Sequence, residues 1–185
     1  ADRSQAKRKK VATTTDWSHL PTIPDLALIC TAAADAADAL ERAGRHGIKT
    51  AIVCTEDPDG RGPQTPLKRA LLEVARRHGC RFLGPGSAGL NLPAAAVNAS
   101  WIADRPPAGR LALVSQSSTV AASVVGWATA RGIGMSRVIS VGDEADLGVD
   151  AVLDTLAADT RTQAILLHVH DLSNGRAFMT SARAA

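Results

Sequence analysis

Short apolar runs alternate with longer segments of helical period along most of this chain, and that alternation limits the folds open to it. Residues 26–30, 50–54 and 80–83 are compact runs fit for buried strands. Residues 33–45 and 66–78 lie between them, with apolar side chains at helical spacing. Continuously apolar strands suit a parallel sheet covered on both faces. The crossovers are long enough for parallel pairing, and their right-handedness then predicts a doubly wound sheet. The pattern restarts after Pro107. Strands are expected at 111–114, 136–141 and 164–169, and helices at 118–131, 149–158 and from Asn174, with the sequence stopping inside the last. Residues 91–107, rich in Pro and Ala, read as irregular and divide the chain into domains 1–107 and 108–185. The fold class is α/β.

Local grammar supports these bounds. Thr65 caps a helix that starts at Pro66, carries Arg76-Arg77-His78 in its last turn and stops at Gly79. Gly47 closes the helix before it. Residues 11–15 suggest a further short strand, 16–21 a loop or single helical turn, and 55–63 a polar loop. Apolar residues make up 45% of the chain but aromatics only 3%, so the core must be built from Ala, Val, Leu and Ile. The net charge of +3 comes mostly from Arg3, Lys7, Arg8, Lys9 and Lys10. No aromatic residue interleaves with that run, so it reads as a solvated tail and not a nucleic-acid platform. Cys30, Cys54 and Cys80 lack metal-ligand spacing and fit a reduced, cytoplasmic setting. No run approaches the roughly 18 apolar residues of a membrane span. The absent initiator Met and the polar start lead us to expect a fragment truncated at both ends.

Ligands of open parallel sheets bind beyond the C-terminal ends of the strands. That rule selects Thr31-Ala32, Thr55-Glu56, Gly84-Pro85-Gly86-Ser87, Ser115-Gln116-Ser117-Ser118-Thr119 and Gly142-Asp143-Glu144. The Gly84–Ser87 turn allows close backbone approach to a ligand, or is an ordinary turn. The 115–119 segment feeds a helix whose first N–H groups and dipole favour an anion, or Ser117 or Ser118 is simply its cap. Asp143, Glu144 and Asp146 offer oxygen ligands to a cation, or belong to a solvated acidic loop. His168 and His170 share one side of a strand end but lack a third ligand, so they read as surface or hydrogen-bonded residues. Cys30 and Cys54 end strands as small packing residues; Trp17, Trp101 and Trp127 also read as packing residues. There is no Walker loop, no Gly-x-Gly-x-x-Gly and no nucleophile–base–orienter set, so no catalytic or metal-binding residue is assigned.

A resemblance sharpens these readings. Arg81-Phe82-Leu83-Gly84-Pro85-Gly86-Ser87-Ala88-Gly89-Leu90, Val97-Asn98-Ala99-Ser100, Gly109-Arg110-Leu111-Ala112-Leu113-Val114-Ser115-Gln116-Ser117-Ser118, Arg131-Gly132-Ile133-Gly134-Met135-Ser136, Ser140-Val141-Gly142-Asp143 and Leu153-Asp154-Thr155-Leu156-Ala157-Ala158-Asp159 occur in series. From about Leu20 onward the chain resembles the CoA-binding and ligase domains of the succinyl-CoA synthetase alpha-subunit superfamily. The resemblance implies an incomplete Rossmann-type CoA-binding domain, lacking its first strand and glycine turn, followed by an incomplete flavodoxin-like domain. It implies coenzyme A or acetyl-CoA as cofactor, bound by Thr31, Ala32, Thr55, Glu56, Gly84, Pro85, Gly86 and Ser87. It further implies a phosphate seat at Ser115, Gln116, Ser117, Ser118 and Thr119, facing a phosphohistidine supplied from downstream.

The pattern also has departures. Ser118 stands where the family turn often has Gly, Gly86 where Asn is common, and His170 at the place of a ligase glutamate. These lead us to expect the acyl-CoA-sensing, regulatory portion of a Pat-type protein lysine acetyltransferase. The alternative is the alpha-type part of an ADP-forming acyl-CoA synthetase; a second is a small-ligand α/β domain. Implied partners are acyl-CoA, further domains of ATP-grasp-like or acetyltransferase type, and a second copy of the chain. A nucleic acid or membrane partner is not expected.

Overall fold

The computed structural model describes Trp17 and residues 20–60, 62, 64–172 and 174–185. The expected strand at 11–15 and the basic segment before it lie outside the described residues, as do Asp16, Ser18 and His19 of the expected loop.

Three strands, β1 (Ala27–Ile29), β2 (Thr50–Val53) and β3 (Arg81–Leu83), form one parallel sheet in the order β1-β2-β3. Helices α1 (Ala33–Arg45) and α2 (Pro66–His78) connect them. The Thr65 hydroxyl accepts from the Lys68 N–H at the start of α2, and Gly79 closes it in the left-handed conformation. Among the described strands this sheet winds in one direction only. The doubly wound reading of the first half is therefore corrected, because each strand is added beside the one before it.

The second sheet has the order β5-β4-β7-β6-β8. Its parallel centre comprises β6 (Ala108–Ser115), β7 (Met135–Ser140) and β8 (Ala164–His168), linked by α3 (Ser118–Ala130) and α4 (Val149–Ala157) and followed by α5 (Gly175–Ala184). The chain passes from β6 outward to β7 and back across β6 to β8, so this half is doubly wound in the flavodoxin manner. Leu113, Val125, Ala128, Met135 and Val138 pack on the α3 side. Ala112, Val114, Val149, Val152 and Leu153 pack on the α4 side.

Residues 91–107 are not simply irregular. β4 (Gly89–Leu92) and β5 (Val97–Ser100) form an antiparallel hairpin around a 3-10 turn at Pro93–Ala95, and β4 pairs with β7 through Leu90↔Ile139 and Asn91↔Val138. The side chains of β4 alternate buried and half-buried, as a strand period requires. By hydrogen bonding, the second sheet therefore begins before the expected division at residue 107.

The halves share a core and a seam. Ile52 and Leu83 of the first sheet pack in the same cluster as Val141, Val149 and Leu153. Residues 141–147 run along β3 and its following turn. Gly84 N–H donates to Val141 O (2.9 Å), Asp143 N–H to Pro85 O (2.8 Å), Ala145 N–H to Gly84 O (3.0 Å) and Leu147 N–H to Phe82 O (3.2 Å). Asp146 accepts from Phe82 N–H (2.8 Å) and from Arg81 Nε (3.0 Å). Gly142 lies at φ +65° against this seam, where a Cβ would stand 2.2 Å from Pro85 O.

Two of the three tryptophans depart from the packing expectation. Trp101 and Trp127 are about half exposed, and the Arg131 guanidinium lies 4.8 Å over the Trp127 ring. Trp17 is half-buried, with its ring 5.2 Å from that of His46. No helix among the described residues is long and apolar enough to cross a membrane.

Candidate functional site: a cleft between the strand ends

The C-terminal ends of β2, β3, β6 and β7 surround a cleft of about 210 Å³. Glu56, Asp57 and Gly60 form one wall, Gly86 another, Gln116 to Thr119 a third, and Asp143 closes it. Seven of the residues selected from sequence thus meet here: Glu56, Gly86, Gln116, Ser117, Ser118, Thr119 and Asp143. The α3 N-terminus points into the cleft. The Ser117 hydroxyl accepts from Val120 N–H (3.3 Å) and caps the helix. The amides of Ser118 and Thr119, like those opening any helix, have no carbonyl one turn earlier to bond. Capping and an anion seat are therefore not exclusive, because the cap uses one donor and leaves two. At Gly86, φ is +71° and no atom would lie within 4 Å of a Cβ, so the backbone is open to a ligand.

The other selected residues build the cleft without lining it. Thr31 and Ala32 are exposed, beyond its wall. The buried Thr55 hydroxyl donates to Thr31 O (2.8 Å) and ties the β1 and β2 ends. Gly84 and Pro85 use their backbone in the seam. Ser87 is fully buried, and its hydroxyl donates to Ser140 O (2.5 Å) and accepts from Gly89 N–H (3.0 Å). Ser115 is also fully buried. Its hydroxyl donates to Ser117 O (2.8 Å), accepts from Ser117 N–H (3.0 Å) and lies 3.4 Å from His168 Nδ1. The Ser118 hydroxyl donates to Gly86 O (2.5 Å), joining the two halves at the cleft itself.

Gln116 organises the crevice between β6 and β8, where the winding reverses. Its carbonyl accepts from His170 N–H (2.8 Å) and Asp171 N–H (3.1 Å); its amide donates to Asp171 O and to Glu144 Oε1, both at 2.7 Å. Glu144 also accepts from Val149 N–H (3.2 Å). Burial pushes the Glu144 carboxyl above its ordinary value, against the lowering effect of those two bonds.

Lys68, which drew no attention in the sequence, is buried beneath the cleft. Its ammonium donates to Gly62 O (2.9 Å) and stands 4.0 Å from Asp143. Asp57 accepts from the Thr65 hydroxyl and from Asp59 N–H (3.0 Å). Lys68 resembles any lysine in the first turn of a helix, so nothing in local sequence marks it. The acidic trio considered for a cation serves structure instead: Asp146 in the seam, Glu144 on Gln116, Asp143 facing Lys68. No group of three or more potential metal ligands occurs among the described residues.

Chemically, the cleft offers backbone donors, hydroxyls and a helix dipole to an anionic group, with Glu56, Asp57 and Asp143 opposite. It is smaller than the roughly 300–1,000 Å³ of typical ligand pockets. It therefore suits one arm or one phosphoryl group of a cofactor, not a whole dinucleotide-sized molecule.

Comparisons with known proteins bear on this geometry. Residues 108–185 match the family described as succinyl-CoA ligase like flavodoxin domain. The chain is 34% identical over 165 residues to acetate–CoA ligase (ADP-forming) I of Archaeoglobus fulgidus; the match covers 89% of this chain and 24% of that protein. It is 32% identical over 166 residues to the alpha subunit of acetate–CoA ligase (ADP-forming) I of Pyrococcus furiosus, covering 89% of this chain and 36% of the subunit. The fold superposes on an acetyl-coenzyme A synthetase 1 of Ca. Korarchaeum cryptofilum, described as dinucleotide forming and solved with phosphate and ADP. The TM-score is 0.83 at 28% identity, covering 94% of this chain and 38% of that one. The chain thus spans a quarter to two fifths of the length of these relatives.

Proposed function

Because the chain belongs to the superfamily of the succinyl-CoA synthetase alpha subunit and the NDP-forming acyl-CoA synthetases, we propose that it is the alpha-type, CoA-binding part of an ADP-forming acyl-CoA synthetase. The observation that carries this reading is the convergence on one cleft of the α3 N-terminus with the strand-end loops of the first sheet. The Ser118–Gly86 hydrogen bond fastens the two at that point.

In this reading Gly86 lets the cofactor approach the backbone, and the Ser118 and Thr119 amides hold an anionic phosphoryl or carboxylate group at the α3 dipole. Bound CoA supplies a thiol for thioester formation. Gln116 fixes the β8 loop and Glu144 at the floor, so the donors are set before a ligand arrives. The remaining chemistry, including the ATP-grasp-like part, belongs to residues outside this chain.

The Pat-type acetyltransferase expectation gives way to its alternative. It rests on Ser118, Gly86 and His170. The hydroxyl of Ser118 has a structural partner in Gly86 O, so that departure does not speak against a ligase-type site. The named relatives are ADP-forming ligases.

The test is ATP formation from acetyl-CoA, ADP and phosphate by the complete protein carrying these residues. We expect turnover, and a fall of about tenfold or more in kcat for Gln116→Ala, the scale of losing one or more bonds that orient the site. Absence of ATP formation together with acetyl transfer to lysine peptides returns the acetyltransferase reading. Neither activity, with no heat on titrating CoA, leaves a small-ligand domain.

A further inference from the structure

Two thiols outside the cleft stand at matching positions on neighbouring strands. Ile29 of β1 is paired with Val53 of β2, and Cys54 N–H donates to Ile29 O (2.9 Å). Cys30 and Cys54 are therefore the next residues in register, and in-register residues of a parallel pair share a face. Adjacent strands lie about 4.8 Å apart, within the ~4.4–6.8 Å Cα separation that a disulfide spans. The backbone register thus sets the two thiols side by side at the strand ends. Their surroundings differ. Cys30 is exposed and Cys54 half-buried. The remaining thiol, Cys80, is buried and donates to Ile48 O (3.1 Å).

We propose that Cys30 and Cys54 form a thiol–disulfide exchange site for low-molecular-weight disulfides, with Cys30 as the attacking and Cys54 as the resolving thiol. Burial, with Cys30 as its neighbour, pushes the Cys54 thiol up to about 12, so it stays protonated at neutral pH, and Cys30 is the member of the pair that an incoming disulfide can reach. The Cys30 thiolate attacks one sulfur of the incoming disulfide. That S–S bond breaks, one thiolate leaves, and a mixed disulfide remains on Cys30. The Cys54 thiol gives its proton to the departing thiolate and attacks the Cys30 sulfur, expelling the second half of the reagent as a thiolate that takes a proton from water. The protein pair is oxidised by two electrons, the reagent disulfide is reduced to two thiols, and a Cys30–Cys54 bond forms. That bond joins the strand ends leading to Thr31 and Thr55, which are already linked by the Thr55 hydroxyl.

The test exposes the reduced chain to glutathione disulfide, the probe, and reads thiol titration and peptide mapping by mass spectrometry. Loss of two thiols, a Cys30–Cys54 cross-linked peptide and no retained glutathione support the site. The C54S variant is then expected to keep glutathione on Cys30, and C30S to stay unmodified. Wild-type protein that retains glutathione on Cys30 beside a free Cys54, or that stays unmodified, overturns it. Protection of Cys80 from alkylation confirms that each variant is folded.

Discussion

Gln116 shows how much one side chain can hold. It is buried, and all of its amide hydrogen-bonding capacity goes to the β8 loop and Glu144. Gln116→Ala leaves buried partners unsatisfied at about 1–3 kcal/mol for such a group, which urea unfolding will register as a lower midpoint. At Gly142 the cost is steric and conformational. Gly142→Ala puts a Cβ against Pro85 O at positive φ, and a loss above about 2 kcal/mol is expected in the same assay. Asp159 yields a pH prediction. The Arg137 guanidinium, 2.7 Å away, holds its carboxyl down at about 2, helped by the Thr162 hydroxyl. A depressed native pKa stabilises the fold above the unfolded value near 4 and loses that contribution as pH falls toward 2. Asp159→Asn should therefore lower stability at pH 7 by about 1 kcal/mol, after allowance for solvent screening. The deficit should shrink as urea midpoints are compared at successively lower pH, below about 4.

The helix starts and stops were legible because each carries its own chemistry. Thr65, Pro66 and Gly79 mark the ends of α2, and the structure places the helix between them. Thr65 also donates to Asp57, so Thr65→Ala removes a cap and a buried carboxylate's partner together. A loss of about 1–2 kcal/mol is expected by thermal or urea unfolding, against the ~1 kcal/mol of an ordinary cap. The hairpin of β4 and β5 was not legible. Gly89-Leu90-Asn91-Leu92 does alternate, but the strand is short, and Pro93 with its alanines reads as linker. Only the long-range pairing to β7 makes these residues a strand. The site divides in the same way. The strand-end rule found Gly86 and 116–119 because topology puts such residues together. It could not separate lining residues from Ser87 and Ser115, whose hydroxyls turn inward, nor find Lys68, whose ammonium is buried against Gly62 O by long-range folding.

For the molecule as a whole, the serial motifs from 81 to 159 carried both fold class and superfamily. The branch within it was not legible in the same way: the relatives fit the alternative, an ADP-forming synthetase part, better than the acetyltransferase expectation, and the Ser118 hydroxyl's bond to Gly86 O is a contact visible only in three dimensions. The halves themselves are joined by the 141–147 seam and a common core. Asp146→Ala removes the carboxylate that bridges Arg81 and Phe82. We expect fluorescence of the tryptophans and far-ultraviolet circular dichroism to give coincident unfolding curves in the wild type and separated ones in this variant. The same seam bears on how a ligand arrives. The two walls of the cleft are tied by the bonds between residues 82–85 and 141–147, so parting them means unzipping that seam. Association should then proceed in a single kinetic phase, its observed rate rising linearly with ligand concentration without a plateau. Under the proposed binding role, selectivity then rests on the fixed outline of the seat and not on an act of closing.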